Sequence, residues 1–127
     1  MMSEHLRRAE ATFLEQYSDW LQMVQESMVQ VTGFYREGFE ENGDRLLDST
    51  TRESSLFSSQ TVTMAYLFGQ EEEWKQDLEA FEQATEEVRG LIDAETMSSA
   101  EKMRYVASVY MPVLERWKLR VTALARK

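Results

Sequence analysis

The chain has 127 residues, 23 acidic against 14 basic side chains, a net charge of −9, one histidine and no cysteine. Such a length suits a single domain with one core, taken here as one helical domain over residues 1–127, and 43% hydrophobic content belongs to a globular chain, not a disordered one. A cysteine-free chain has no disulfide framework, thiolate nucleophile or cysteine-bound metal, and the negative balance repels phosphate backbones and anionic lipid, so nucleic acid is excluded as a partner.

Four stretches carry apolar residues at helical spacing. In the first, Leu6, Phe13, Tyr17, Trp20, Val24, Val31 and Phe34 form one stripe, flanked by Leu14, Leu21, Met28 and Tyr35, with Glu15, Gln22, Gln25 and Glu26 opposite. This predicts a helix from about Ser3 to between Thr32 and Glu41. Gly33 and Gly38 weaken its end, and Asn42-Gly43 reads as a strong stop.

The second stretch places Leu47, Thr50, Ser54, Phe57, Thr61, Met64 and Phe68 on its seam, three of the seven bearing hydroxyls. Asp48 to Ser55 is poor in helix formers, so the expected helix over 44–68 is weakly held. Leu56, Val62 and Tyr66 fall off that seam and mark a partner-facing surface, with Ser54 and Thr61 beside them. The third stretch spaces Trp74, Leu78, Phe81, Thr85, Val88 and Ile92 by alternating fours and threes. Gly69 is a soft junction across which the second and third stretches can join as one long, bent helix.

In the fourth, Met103, Val106, Tyr110, Val113, Trp117, Val121 and Leu124 make the seam, and Ser98 with Glu101 forms a capping box at its start. Pro112 lies inside it and removes one ladder bond, which predicts a kink around the core more than a full break. Trp20, Trp74 and Trp117 each anchor a strong helix, and Met23, Met28, Met64, Met103 and Met111 fill gaps beside the seams. The fold class expected is all-α, an up-down helical bundle of three or four amphipathic helices, with dimerisation completing the three-helix form.

Charge is unevenly spread. Residues 70–97 hold ten acids and two bases, whereas residues 98–127 hold seven bases and two acids. Adjacent segments of opposite sign suggest an antiparallel hairpin with attracting flanks. In a sharper reading the basic tail, including Arg116, Lys118, Arg120, Arg126 and Lys127, docks an acidic partner; Arg116 and Arg120 are its candidate contacts.

Catalytic constellations are missing. A dimetal site needs two Glu-x-x-His motifs, and zinc hydrolase or Ser-His-Asp chemistry would have to recruit His5 alone. Glu71 to Glu73 complement a helix dipole and form no preorganised cage. The reading is therefore no enzyme, no catalytic residue, no cofactor and no metal. Apolar runs such as Met64-Ala65-Tyr66-Leu67-Phe68 are too short to span a bilayer, and the start at Met1 lacks the apolar core of a secretory leader, so the expected location is cytoplasmic.

Three function classes follow. The first is a small acidic helical module that binds a protein partner as adaptor, chaperone or accessory subunit, self-association included. The second is a structural, self-assembling protein that coats a surface, although interfacial helices usually carry basic polar faces. The third is a small-molecule binder with a pocket between helices near Thr50, Ser54 and Thr61.

Overall fold

The computed structural model describes residues 2–126, with side chains from residue 7 to residue 126, so the expectations placed on His5, Leu6 and Lys127 fall outside the described side chains. The fold is all-α, without a strand among the described residues. Helix α1 (Met2–Arg36) buries Leu14, Tyr17, Leu21, Val24, Met28, Val31 and Tyr35, alternating steps of three and four. The buried arc is thus centred on the row expected to flank the stripe. Phe13, Trp20 and Phe34 become its half-buried edge, because α1 is packed from two sides and not one.

Gly38 ends α1. Its φ of +83° is the left-handed conformation that L side chains avoid, and Phe39 N–H reaches back to Phe34 O (2.8 Å) while Gly38 N–H reaches Tyr35 O (3.1 Å). Asn42-Gly43, expected as the stop, instead lies inside α2 (Glu40–Arg52). A β-carbon at Gly43 would stand 2.5 Å from Tyr35 Cε1, so this glycine serves the close approach of two helices rather than termination.

The expected helix over 44–68 is broken. After α2 come a 3-10 turn (Glu53–Phe57), an irregular link, and the short helix α3 (Val62–Phe68). Hydroxyl side chains account for the break by competing for backbone groups. Ser54 Oγ donates to Thr51 O (2.6 Å), Gln60 N–H donates to Ser58 Oγ (3.1 Å), and Thr61 Oγ1 donates to Ser58 O (2.9 Å). Thr61 then caps α3 by accepting Met64 N–H (3.3 Å). Nor does α3 run on into the next segment: it stops at Gly69, and α4 (Glu72–Arg89) starts afresh, followed by a 3-10 turn (Gly90–Asp93) that buries Leu91.

The last helix, α5, comprises Ser99–Tyr105, a π-helical stretch Val106–Tyr110 and Met111–Ala125. The capping box forms as read: Glu101 N–H donates to Ser98 Oγ (3.2 Å) and Ser98 N–H to Glu101 Oε1 (3.3 Å). Pro112 neither breaks the helix nor interrupts its hydrogen bonding abruptly, because Met111 N–H already reaches five residues back to Val106 O. The buried positions record the wide turn. Lys102, Val106, Tyr110 and Leu114 follow one another by fours before Trp117 and Val121, so Leu114 takes the core place expected of Val113. Ala107, Ser108, Val109 and Pro112 are exposed, which puts the carbonyls that lose a partner on the watered side.

Side-chain pairs set the packing. Tyr35 with Asp44 and Trp20 with Glu53 run α2 antiparallel to α1, and Tyr35 with Lys102 and Ser18 with Thr122 do the same for α5. Thr85 with Tyr110 and Asp77 with Arg120 place α4 antiparallel to α5. At the centre, Tyr17, Phe57, Phe68, Trp74, Phe81 and Trp117 form a connected aromatic cluster, within which Trp117 Nε1 donates to Tyr17 Oη (2.8 Å). All three tryptophans join it or its edge, as the seam spacing implied.

Candidate functional site

The break in the second stretch frees α3 to carry an unusual surface. Residues 54–70 contain no charged side chain, in a chain of which 29% is charged. Met64 and Phe68 turn inward and are fully buried. Helical geometry then forces Val62 and Tyr66, four apart, to the outside, where they are 86% and 55% exposed. Leu56, on the preceding 3-10 turn, is 69% exposed. Three of the seven large exposed hydrophobics among the described residues therefore come from this one run, while Val29, Phe39, Val109 and Leu119 lie elsewhere in the sequence.

Beside α3 lies the start of α1. Ala9, Glu10 and Phe13 of α1 and Val62, Thr63, Tyr66 and Leu67 of α3 enclose an open, mainly apolar groove of about 440 Å³. Phe13 forms its floor toward the core, its ring 5.8 Å from that of Phe57. Among the described lining residues, Glu10 alone is charged.

The residues singled out from sequence do not converge. Val62 and Tyr66 line the groove; Leu56 shares the charge-free run without lining it. Thr61 serves as the α3 cap. Ser54 faces a different space, a cavity of about 260 Å³ left by the helix break, which Trp20, Ser55, Phe57, Ser58, Phe81, Glu82, Thr85 and Glu86 also line. Its hydroxyls are turned onto the protein's own groups. Ser54 and Ser55 donate to backbone carbonyls, Ser58 accepts a backbone N–H, and Thr85 bonds both Phe81 O (2.9 Å) and Tyr110 Oη (3.0 Å). Glu82 likewise accepts Ser59 N–H (3.0 Å). Ligand pockets hold out converging polar groups, and here most of them are already occupied.

Arg116 and Arg120 also part company. Arg120 pairs with Asp77 and with Glu73 (3.5 Å), and its guanidinium lies 4.1 Å over the Trp74 ring. That contact is the expected attraction between the acidic and basic segments, made on one side chain. Arg116 is exposed, at the edge of a small hollow that Asp77 and Arg120 also line. Lys118 turns the other way, donating to Gln22 and Gln25 of α1.

Sequence reasoning missed the most buried charge. Lys102 is 2% exposed, its Nζ 2.7 Å from Glu40 Oε1 and 3.2 Å from Asp44 Oδ1, while Tyr35 Oη donates to Asp44 (2.6 Å). Desolvation pulls the Lys102 pKa down, but the bonds to Glu40 and Asp44 outweigh it and hold the ammonium above its usual range. Burial raises the Tyr35 hydroxyl well above ordinary tyrosine, with Asp44 adding to the shift. The network ties the start of α5 to the α1–α2 turn. A four-residue step from Lys102 to Val106 was the available signal, and the groove had one too, in the absence of charge over 54–70.

No helix among the described residues is long and apolar enough to cross a membrane. No curated protein and no solved structure matches the chain. A family model described as "Domain of unknown function (DUF8042)" matches residues 12–120, which takes in α2, α3 and α4 whole and most of α1 and α5. By that match the chain belongs to the DUF8042 family.

Proposed function

We propose that this chain is a non-catalytic protein-binding module whose recognition surface is the mainly apolar face made by α3 and residues 9–13 of α1. In this reading α1, the broken α2–α3 arm, α4 and α5 make an up-down four-helix bundle that serves as the rigid support. One observation carries the proposal: the run without charge and the large exposed apolar side chains coincide on one side of one groove. Depletion of charge at the centre of a patch, with polar groups at its rim, is the composition that sets interface cores apart from other surface. Tyr66 adds the aromatic anchor with a polar tip that such centres favour.

A photo-reactive residue at position 66, tested in cells that make the protein, decides the matter. Expected is a discrete protein adduct that Val62→Glu abolishes, and no adduct from the same probe at position 109 on α5. An adduct that survives Val62→Glu, or equal capture from both positions, would overturn the reading.

A further inference from the structure

The structure assigns the cavity left by the helix break to a small organic cation, an ammonium or guanidinium group on a compact apolar body. The cavity holds about 260 Å³ between α1, the 3-10 turn after α2, and α4. An apolar cavity of about 150 Å³ admits benzene, so this one suits a ligand of roughly ten non-hydrogen atoms. It shares no lining residue with the α1–α3 groove, so the recognition face and this site stand or fall separately.

The side chains around it have spent their donors and kept their acceptors. Ser54 Oγ donates to Thr51 O, Ser55 Oγ to Arg52 O and Trp20 Nε1 to Glu53 Oε2. The Thr85 and Tyr110 hydroxyls satisfy each other and Phe81 O. Ser58 alone keeps a hydroxyl hydrogen without an acceptor among the described residues. Lone pairs and carboxylates remain. Glu82 offers its second oxygen, since Ser59 N–H takes only Oε2, and Glu86 makes no hydrogen bond or ion pair among the described residues. No basic side chain lines the space. An anion would meet acceptors of its own kind, whereas a cation finds charge-assisted partners. A bare metal ion has no cage here: among the described residues no three His, Asp or Glu side chains are grouped to hold one.

Helix α4 carries one arrangement twice, and the chain's own side chains fill only the first. Glu73 and Asp77, four apart, receive Arg120, whose guanidinium lies 4.1 Å over the Trp74 ring. Glu82 and Glu86, also four apart, line the cavity together with Trp20 and Phe57, whose ring centroids are 5.0 Å apart. Carboxylates at that spacing on a helix repel each other. Arg89, the next base along α4, turns away to Asp48 and Thr51 and leaves the second pair uncompensated. A ligand cation takes at the second pair the place that Arg120 holds at the first.

Titration of the isotope-labelled full chain, followed by nuclear magnetic resonance, tests this with three compounds of like size: phenethylammonium, 2-phenylethanol and phenylacetate. Expected is a saturable shift of the Trp20 indole and of amides over 54–59 and 82–86 with phenethylammonium. Its affinity should exceed that of the alcohol by about ten-fold or more, and phenylacetate should leave those signals in place. Glu86→Gln, at an exposed side chain, should weaken the cation several-fold and leave the alcohol unchanged. Glu79→Gln, an equal charge change on α4 outside the cavity, should do neither. Ser54→Leu should fill the space and abolish binding, with helix content by circular dichroism retained; should that variant not fold, Glu86→Gln still decides. Equal shifts from all three compounds overturn the proposal, as does the absence of a shift with phenethylammonium at tens of millimolar. So does a loss of affinity in Glu79→Gln as large as that in Glu86→Gln, which would mark general attraction to an acidic helix and not a site.

Discussion

Two glycines show how little local sequence says about a residue's task. At Gly43 an added β-carbon would meet the fully buried Tyr35 ring at 2.5 Å; at Gly33, also helical, nothing lies within 4 Å. Helix propensity favours alanine by about 0.5–1 kcal/mol at both sites, but overpacking costs about 1–3 kcal/mol where the ring cannot move aside. Urea denaturation should show Gly33→Ala stabilised by about 0.5–1 kcal/mol and Gly43→Ala destabilised by about 1–2 kcal/mol. Equal gains would show that Tyr35 yields. The buried charge network predicts a similar asymmetry. Asp44→Ala strips the Tyr35 hydroxyl of its acceptor and leaves Lys102 with Glu40 alone, a loss of about 2–4 kcal/mol. Lys102→Met keeps the packed stem, and the Glu40 and Asp44 carboxylates retain access to water, so its cost should be about 1 kcal/mol or less. Thermal or urea unfolding of the two variants side by side checks the order, and the order is what matters.

At the scale of the element, the α2–α3 arm decides most. Sequence spacing sets its serines and threonines on one continuous seam; in place, they end one helix and begin another. Ser54 and Thr61 consequently differ in sign. Ser54→Leu projects into the cavity bounded by Trp20 and Phe81 and should stabilise by about 1 kcal/mol through added apolar burial. Thr61→Leu removes the side-chain oxygen that accepts Met64 N–H and should cost about 1 kcal/mol. Amides over 53–61 should also exchange faster than those over 74–88, since the arm between α2 and α3 holds few regular backbone bonds. Loss of stability in both leucine variants would show that the cavity lining cannot admit the larger side chain.

Across the whole molecule, core tyrosines tie stability to alkaline pH. Burial pushes the Tyr110 hydroxyl up to about 12, although its bond to Thr85 offsets part of the shift, and burial raises Tyr17 further. Lys102 is raised as well. All these folded-state values lie above their unfolded ones, so their contribution is intact below about pH 10, and that of Tyr110 is lost as the pH climbs through about 12. Tyr110 alone accounts for about 3 kcal/mol over that window. Tyrosinate absorbance and helical circular dichroism should therefore change together in one transition; tyrosines that ionise while the helices persist would refute the coupling.

How much of this could be read beforehand follows from the range over which each feature is written. Helices α1, α4 and α5 were visible because an apolar period is repeated along a single segment, and the Ser98–Glu101 cap because its partners stand three residues apart. The candidate face was half visible: Val62 and Tyr66 were marked by falling off a seam, while Phe13 and Ala9, some fifty residues earlier, were not. Only the tertiary structure could turn Asn42-Gly43 from a stop into a helix contact, since Tyr35 must first be folded back against it. Only it could bury Lys102, whose counter-charges Glu40 and Asp44 arrive from a helix far earlier in the chain, Asp44 standing 58 residues away. Periodicity determines which face of a segment is apolar; what that face meets, and how closely, depends on segments that local sequence does not encode.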